Sequence, residues 1–511
     1  MRIMNIIHFY DYACSLVGVL LSISPGFCSV HDDLNVAVIG AGVGGSFAAK
    51  FLREVLGSTV NITVYEKFKA GGRVAQFSYG GKTYELGASI IYEGNRYVVN
   101  ATERLGVLRQ KVDKELGIYN NLFSLWNGEQ FAFVESSSYL KTLLRSWWRW
   151  GMYPMAFKRI PQEFVRSFNR IYEIQEEGRA FDNPEDMLKD IGCFEATQMK
   201  YSEFVCENLG NSSTATLFQS EFLEAINRVN YGQTNQDMNA FAGLVSAVAA
   251  IDGDHLFQIQ GGNARLCSAL LQESGAERVA ANVTLVERLG TGRYLLHTAD
   301  GKAGPFDAVV LAAPLEASSL RLEGVDSPRP RRGVDPFQHT HTTYVVGELS
   351  PSYFGVEALP PGVGQILVTA SSRDFFSSIA DKGPAPLPGG GGPATMFKLF
   401  SPERPTDEQL GRLFAGRFHV AARRDWQAYP KYSPPEEFQP FRIAHGLAYV
   451  NAVEAAASAV EMSAIAARNA ALLVARDLEG VKAYGRLRRR DAMRRESISA
   501  EFGLDAKNEL R

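Results

Sequence analysis

Between Asn35 and Arg73 the chain reads NVAVIGAGVGGSFAAKFLREVLGSTVNITVYEKFKAGGR. An apolar run, Val36 to Ile39, enters a turn that carries Gly40, Gly42, Gly44 and Gly45, and an amphipathic segment begins at Ser46. The glycines of a G-x-G-x-x-G turn divide the work between them: one makes a tight turn, one lets the backbone approach a pyrophosphate, and one allows close packing of helix on strand. The N–H groups that open the following helix then face phosphate charge. A glycine turn alone would fit many β-α-β units. Here a second strand, Asn61 to Tyr65, ends on Glu66 about twenty residues after Gly45, where a carboxylate can accept hydrogen bonds from a ribose diol. The stretch therefore predicts a dinucleotide-binding unit.

Lys67 follows Glu66, and Gly71, Gly72 and Arg73 come soon after. A second glycine pair past the acidic residue, with an arginine able to meet a phosphate, resembles the extended signature of FAD enzymes in the amine oxidase and glutathione reductase superfamily. The resemblance implies FAD rather than NAD. It also implies an α/β fold: a Rossmann-type FAD-binding domain, glutathione reductase/amine oxidase-like, with an interleaved α+β substrate domain. In that superfamily the hairpin-like passage after Arg73 returns near the flavin, which makes Gly87, Ala88 and Ser89 expected neighbours of the isoalloxazine ring. Read without the resemblance, the same residues fit a strand that packs the core.

At 511 residues the chain exceeds what one core holds, so two intertwined domains are expected. A net charge of −3 gives no global electrostatic reason to bind nucleic acid or an acidic membrane. Arg2 precedes an apolar region from Ala13 to Ile23, too short for the roughly 20 helical residues that cross a bilayer. Residues 1–29 therefore read as a secretory signal peptide cut near Ser29, although Asp11 is an unusual charge there. Sequons at Asn61, Asn100, Asn211 and Asn282 would accept glycans where exposed; Asn61 and Asn282 open predicted strands. Beyond residue 29 only Cys193, Cys206 and Cys267 remain, an odd number that cannot form a disulfide framework but allows one bridge, Cys193 to Cys206. No Cys/His cluster has metal-ligand spacing, so no metal is expected.

The nucleotide-binding pattern is interrupted twice. Residues 34–92, 256–318 and 441–480 read as three segments of the FAD-binding domain, 93–255 and 319–440 as the substrate domain, and 481–511 as a basic tail. The first excursion reads as mostly helical. In it Leu140, Leu143, Leu144, Trp147 and Trp148 form one apolar stripe at helical spacing, which predicts a core-facing helix. The alternatives are a membrane-interface helix, with Trp147, Trp148 and Trp150 beside Lys158 and Arg159, or a wall of a lipophilic tunnel. Asn230-Tyr231-Gly232-Gln233 reads as a polar turn. In the second excursion, Gly383 to Pro393 reads as a flexible or polyproline-biased surface loop.

Gln260-Gly261-Gly262-Asn263 opens a helix, and a meander from Val283 ends in the buried strand before Ala312-Ala313-Pro314. In the superfamily this completes the nucleotide-binding sheet, with a backbone contact to adenine near Val283. From Ala448 a short strand leads past Glu454 into an alanine-rich helix beginning near Val460, followed by Glu461 and Met462. Its small residues allow close approach to a ligand, and its positive end favours negative charge on a reduced flavin.

With these segments the chain resembles the prenylcysteine oxidase, or farnesylcysteine lyase, family from Asn35 to Leu478. The residues that carry the resemblance are IGAGVGG at 39–45, AGGR at 70–73, VNYGQ at 229–233, GGN at 261–263, the W-x-A-Y-P of Trp426 to Pro430, and ASAVEMSAIAARNAALL at 457–473. It implies an FAD thioether oxidase of the secretory pathway, lysosome or vacuole that cleaves S-farnesyl- or S-geranylgeranyl-cysteine with O2 and water. With eight scattered histidines and no H-x-x-x-H pair or serine elbow, no covalent nucleophile is expected. Tyr231 and Gln233, then His419 and Tyr429, are the candidates for placing water or binding the cysteine moiety. The competing readings are another flavin oxidase of this architecture, acting on amines or polyenes, and a prenyl-binding escort protein without FAD.

Overall fold

In the computed structural model, which describes residues 34–111, 122–251, 255–329, 336–389 and 393–478, the opening stretch forms strand β1 (Asn35–Ile39), helix α1 (Val43–Leu56) and strand β2 (Asn61–Tyr65). The signal-peptide reading and the basic tail fall outside these residues. β1 is buried on both faces, which is why it reads as a continuous apolar run and not as an alternation. It lies at the centre of a six-stranded sheet in the order Glu277–Val279, β2, β1, Ala308–Leu311, Leu447–Tyr449, Arg442–Ala444, parallel except for the last pair. The strands come from all three stretches assigned to the nucleotide-binding domain. The helix Val460–Asp477 packs with Ala264–Ser274 against α1, and its alanines are buried. The fold is the expected α/β arrangement.

Val283–Arg288 enters a separate four-stranded sheet with Tyr294–Thr298, Gly301–Phe306 and Arg321–Glu323. The substrate portion is built on a seven-stranded sheet, in the order Phe414–Pro430, Phe337–Leu349, Pro393–Ser401, Ser378–Pro386, Val363–Val368, Leu122–Trp126, Phe131–Val134. Two of these strands, Leu122–Trp126 and Phe131–Val134, come from the excursion read as mostly helical, so the two excursions share one sheet. β3 (Gln76–Tyr79) and β4 (Lys82–Glu85) form the hairpin after the glycine pair.

Four expectations are corrected. Gly383 to Pro386 is not a loop but the end of strand Ser378–Pro386: the register shifts between Asp381 and Pro384, and from there the pairing is regular, with Ala385 buried against the sheet and Pro384 and Pro386 facing outward. Cys193, Cys206 and Cys267 are all free, with Cys193 buried and Cys206 exposed. The stripe on α3 (Tyr139–Trp150) faces solvent and not the core: Trp147, Trp148, Leu140 and Leu144 are exposed. Trp150 leaves the proposed membrane-contacting set, since it is buried, packs on Phe133 and Phe222, and donates from Nε1 to Glu221 at 3.0 Å.

Candidate active site

The turn between β1 and α1 is shaped by backbone contact. Gly40 has φ 103°, and a Cβ there would lie 2.7 Å from the Ala312 carbonyl oxygen; one on Gly45 would lie 1.8 Å from the Gly40 oxygen. One on Gly44 would meet Val450 Cγ1 at 2.8 Å. These glycines serve the protein's own packing. Gly42 is different, because its nearest neighbour would be Gly72 Cα at 3.8 Å. Gly42 and Gly71 form a backbone bridge, and Gly71 N donates to Ala41 O at 2.9 Å, so the two glycine clusters adjoin. The first-turn N–H groups of α1 have no intrahelical acceptors, no side chain caps them and no acidic residue shares that turn. This cradle suits an anion approaching the backbone at Gly42.

Glu66, at the end of β2, accepts from Ala41 N and Phe68 N, each at 2.8 Å. Its carboxylate is thereby fixed beside the glycine turn, with lone pairs left for a diol. Lys67 is exposed and lies over the Phe68 ring, 5.0 Å from its centre. Val283 is buried and pairs with Thr298 in the four-stranded sheet.

Arg73 and Glu454, each expected to meet the cofactor, meet one another. The guanidinium forms a two-pronged pair with the Glu454 carboxylate, Nη1–Oε2 being 3.2 Å, and Nη1 also donates to Ala428 O at 3.0 Å. Burial works against the Arg73 charge, but Glu454 outweighs it and the pKa is raised above the ordinary value. Around this pair stand three tyrosines. Tyr231, at the end of helix Glu224–Tyr231, packs edge-on against Tyr429 (5.2 Å between ring centres) and Tyr432 (5.4 Å). Tyr231 donates to Ser458 O at 3.2 Å, and Tyr432 Oη accepts from Ser458 N at 2.9 Å. Burial raises all three phenol pKa values, that of Tyr429 to about 12, so the rings are neutral. Gln233 does not reach out to a ligand. Its Nε2 donates to Tyr432 O (3.0 Å) and its Oε1 accepts from Tyr432 N (2.9 Å), which fixes the tyrosine and replaces the expected role in placing water. His419 stacks instead on Tyr79, 5.9 Å between ring centres.

The passage after β4 is tied to the GGN segment and to a buried lysine. Asn263 N donates to Glu85 Oε1 at 2.6 Å, and Asn263 Nδ2 to Ala88 O at 3.0 Å. Gly87 is required by contact, since a Cβ there would lie 2.0 Å from Arg73 O. Lys398 Nζ donates to Gly87 O (3.1 Å) and Ser89 Oγ (2.6 Å), and Ser89 Oγ donates to Gly87 O (3.1 Å). Burial drives the Lys398 pKa well below the ordinary lysine value, with Lys382 pushing the same way and Glu85 opposing. Burial likewise raises Glu85 to about 7, against the Asn263 N–H and Lys398.

The sequence profile described as prenylcysteine lyase matches residues 133–483, and that of an NAD(P)-binding Rossmann-like domain matches residues 38–103. Prenylcysteine oxidase 1 of Homo sapiens is 31% identical over 91% of this chain and 94% of its own. The chain belongs to the prenylcysteine lyase family. A second human relative, prenylcysteine oxidase 1-like, is 32% identical over 86% of this chain and 89% of its own. Among solved structures, cyclohexylamine oxidase from Brevibacterium oxydans matches at TM-score 0.52 and 16% identity, covering 88% of this chain and 100% of its own. A putrescine oxidase variant matches at TM-score 0.53 and 14% identity, over 87% and 99%. Those two likenesses show the flavin amine oxidase fold.

Within the prenylcysteine lyase fold, sequence reasoning missed Lys398, Glu85 and Tyr432. Lys398 had a readable signal: it is the single charge in Met396-Phe397-Lys398-Leu399-Phe400. Glu461 and its neighbours Val460 and Met462 were expected at the cofactor, and the structure gives Glu461 a different role. Its carboxylate accepts from Tyr97 N (2.7 Å), Val98 N (3.1 Å) and Tyr172 Oη (2.8 Å), so it caps helix α2 (Arg96–Arg104) from another element. Met462 is buried in the core, and Val460 packs against it.

Burial raises Glu461 to about 7 in spite of these three bonds. A carboxyl whose folded pKa exceeds its unfolded value stabilises the fold fully below the unfolded value, and that stability is lost as pH rises through the folded one. Glu461 and Glu85 together should make the protein less stable between pH 4.5 and about 7, by on the order of 1–3 kcal/mol each. Urea midpoints across that range should fall, and the slope should flatten in Glu461→Gln; a rising or flat wild-type profile would contradict the assignment.

Proposed function

We propose that the protein is an FAD-dependent oxidase that cleaves the thioether of S-prenyl-L-cysteine, farnesyl or geranylgeranyl, giving a prenyl aldehyde, free cysteine and hydrogen peroxide from O2 and water. The observation that carries this reading is an open glycine turn at Gly42, backed by Gly71-Gly72, in a chain that belongs to the prenylcysteine lyase family. Gly42 and the first turn of α1 would hold the pyrophosphate, Glu66 the ribose, and Gly71-Gly72 the adjoining edge of the site. FAD, when bound, accepts the hydride equivalent from C1 of the prenyl group and delivers the electrons to oxygen.

The protein's own contribution is position and dryness. The carbon left electron-poor beside sulfur is an allylic cation, stabilised by the sulfur lone pair. Tyr231, Tyr429 and Tyr432 are neutral phenols packed edge-on against one another, so the cluster holds no tyrosinate that would capture such a cation. Water must then add and lose a proton before the hemithioacetal collapses. A neutral Lys398 has two N–H groups, both engaged by Gly87 and Ser89, and one lone pair left to take that proton. Gln233 acts as a positioning residue through Tyr432.

The direct test is spectroscopic. Purified protein should be yellow, should bleach anaerobically with farnesylcysteine, and should release farnesal and peroxide in air; a yellow protein that bleaches with putrescine and not with the thioether would transfer it to amine oxidation. The cradle has its own test. Gly42→Val should fold, because its side chain meets nothing closer than 3.8 Å at Cβ, yet lose FAD by roughly tenfold or more. Gly45→Ala should instead fail to fold, since its Cβ would sit 1.8 Å from a backbone oxygen. Equal flavin content in Gly42→Val and wild type would remove the pyrophosphate from that place.

The reading extends to location. Asn61, Asn100, Asn211 and Asn282 all lie at exposed positions, which supports a glycoprotein of the secretory pathway, lysosome or vacuole. Removal of N-glycans from protein made in a secreting host should shift its mass in steps; a single unshifted band would count against it. A prenylated substrate partitions into bilayers, so peripheral membrane contact belongs to the same reading.

A further inference from the structure

Helix α3 carries a sequence feature that neither the core nor the reaction uses. Its stripe of Leu140, Leu143, Leu144, Trp147 and Trp148 is exposed, and Met152 and Met155, where the chain turns into α4 (Tyr153–Phe168), are exposed too. Trp148 is 85% exposed and Leu140 63%. Eight of the twelve large apolar side chains that the described residues expose fall between Tyr139 and Met155. Single exposed apolar residues are ordinary, whereas a contiguous patch of this kind marks a surface that meets a partner or a membrane.

Charge selects between those occupants. Between Ser136 and Gln162 there are five basic residues and no acidic one, with Glu135 and Glu163 at the two ends of the run. Arg149 is neutralised by Glu221 (Nε–Oε2 2.6 Å), which leaves Lys141, Arg145, Lys158 and Arg159, all exposed, around the apolar face. The net charge of −3 hides this local excess. A second copy of the same face would bring like charges together. An anionic lipid surface would not, and tryptophan beside lysine and arginine is the composition of a helix lying at headgroup level. Beside α3 runs a groove of about 1050 Å³, lined by Phe131, Phe133, Leu144, Trp147 and Pro360, with Arg145 on its polar side and Glu135 held there by the Phe123 N–H at 3.0 Å. Its walls suit an acyl chain and its rim a phosphate.

We propose that the α3–α4 face docks this protein on anionic phospholipid bilayers, with the groove taking one lipid chain. The proposal rests on the peripheral contact inferred for a lipophilic substrate and not on the thioether chemistry, so the two fail separately. The experiment is co-sedimentation of the flavin-loaded protein with vesicles of phosphatidylcholine alone or with about one-third phosphatidylserine. Binding to the phosphatidylserine vesicles should exceed binding to phosphatidylcholine by roughly tenfold and weaken with salt. The double substitution Trp147→Ser/Trp148→Ser should lower it by roughly tenfold or more, with the flavin spectrum and melting curve as checks on folding. Lys158→Ser/Arg159→Ser should erase much of the preference for phosphatidylserine. No binding by the wild type, or equal binding by the tryptophan variant, would overturn the proposal. So would a concentration-dependent dimer that the same variant dissolves.

Discussion

Replacing Lys398 by methionine is expected to slow turnover of farnesylcysteine by about a hundred- to thousandfold while FAD stays bound, the range that a positioned acid or base supplies. The argument begins with the strand Pro393–Ser401, which inserts one amine among Met396, Phe397, Leu399 and Phe400. Burying an ammonium is costly, and burial holds the Lys398 pKa well below the ordinary lysine value. In its neutral form the amine would have both hydrogens committed, to Gly87 O and Ser89 Oγ, and one lone pair left over. A structural role and a basic role predict different things of Lys398→Arg. Arginine can donate to Gly87 and Ser89 but cannot act as a base near neutral pH. If the lone pair matters, the arginine variant should be as slow as the methionine one, and the wild-type rate should fall as pH drops through the depressed lysine pKa. Recovery of activity in Lys398→Arg would reduce the lysine to a tether for the Gly87–Ser89 turn.

The cradle was legible in the sequence and the chemistry around it was not, for a physical reason that differs from residue to residue. Gly42 and Gly45 can be read because each answers to a contact within one β-α-β unit, or from that unit to its cofactor, at fixed spacing, whereas the spacing finds Gly40 without showing that it answers to Ala312, far along the chain. Arg73 cannot be read in the same way. Glu454 lies 381 positions away, and only the parallel sheet that joins β1 to Ala308–Leu311 and then to Leu447–Tyr449 brings the two together. Glu461 failed for the same reason, because its partners Tyr97 and Tyr172 lie on other helices. The stripe on α3 shows the limit of periodicity: spacing identifies an apolar face but carries no information about what that face meets. Gly383 to Pro386 misled in the opposite direction, since glycine and proline argue for a loop until an irregular strand pairing accommodates them.

The Arg73–Glu454 pair supplies the second large effect, and the two partners should not be equivalent. Glu454 is held at 2% side-chain exposure and takes a further hydrogen bond from Asn451 Nδ2 at 2.7 Å, whereas the Arg73 side chain is 31% exposed. Removing the arginine strands a fully buried carboxylate, the situation in which breaking a buried ion pair costs about 3–5 kcal/mol. Removing the carboxylate leaves a guanidinium that can turn toward water and that keeps its bond to Ala428 O, so Glu454→Gln should cost less, about 1–3 kcal/mol. Urea unfolding of Arg73→Met and Glu454→Gln should therefore rank arginine loss as the more damaging. The double variant Arg73→Met/Glu454→Leu should recover much of the difference, because apolar groups of similar size replace a buried pair at little cost. That recovery would be of the fold alone. The pair also binds the Gly71-Gly72-Arg73 turn to the segment that leads into helix Val460–Asp477, so the two halves of the expected FAD site are braced by one interaction. Flavin content should fall in both single variants and remain low in the double. A double variant that regained stability and full FAD would show the brace to be dispensable, and the reverse ranking of the single variants would place the buried charge on the arginine.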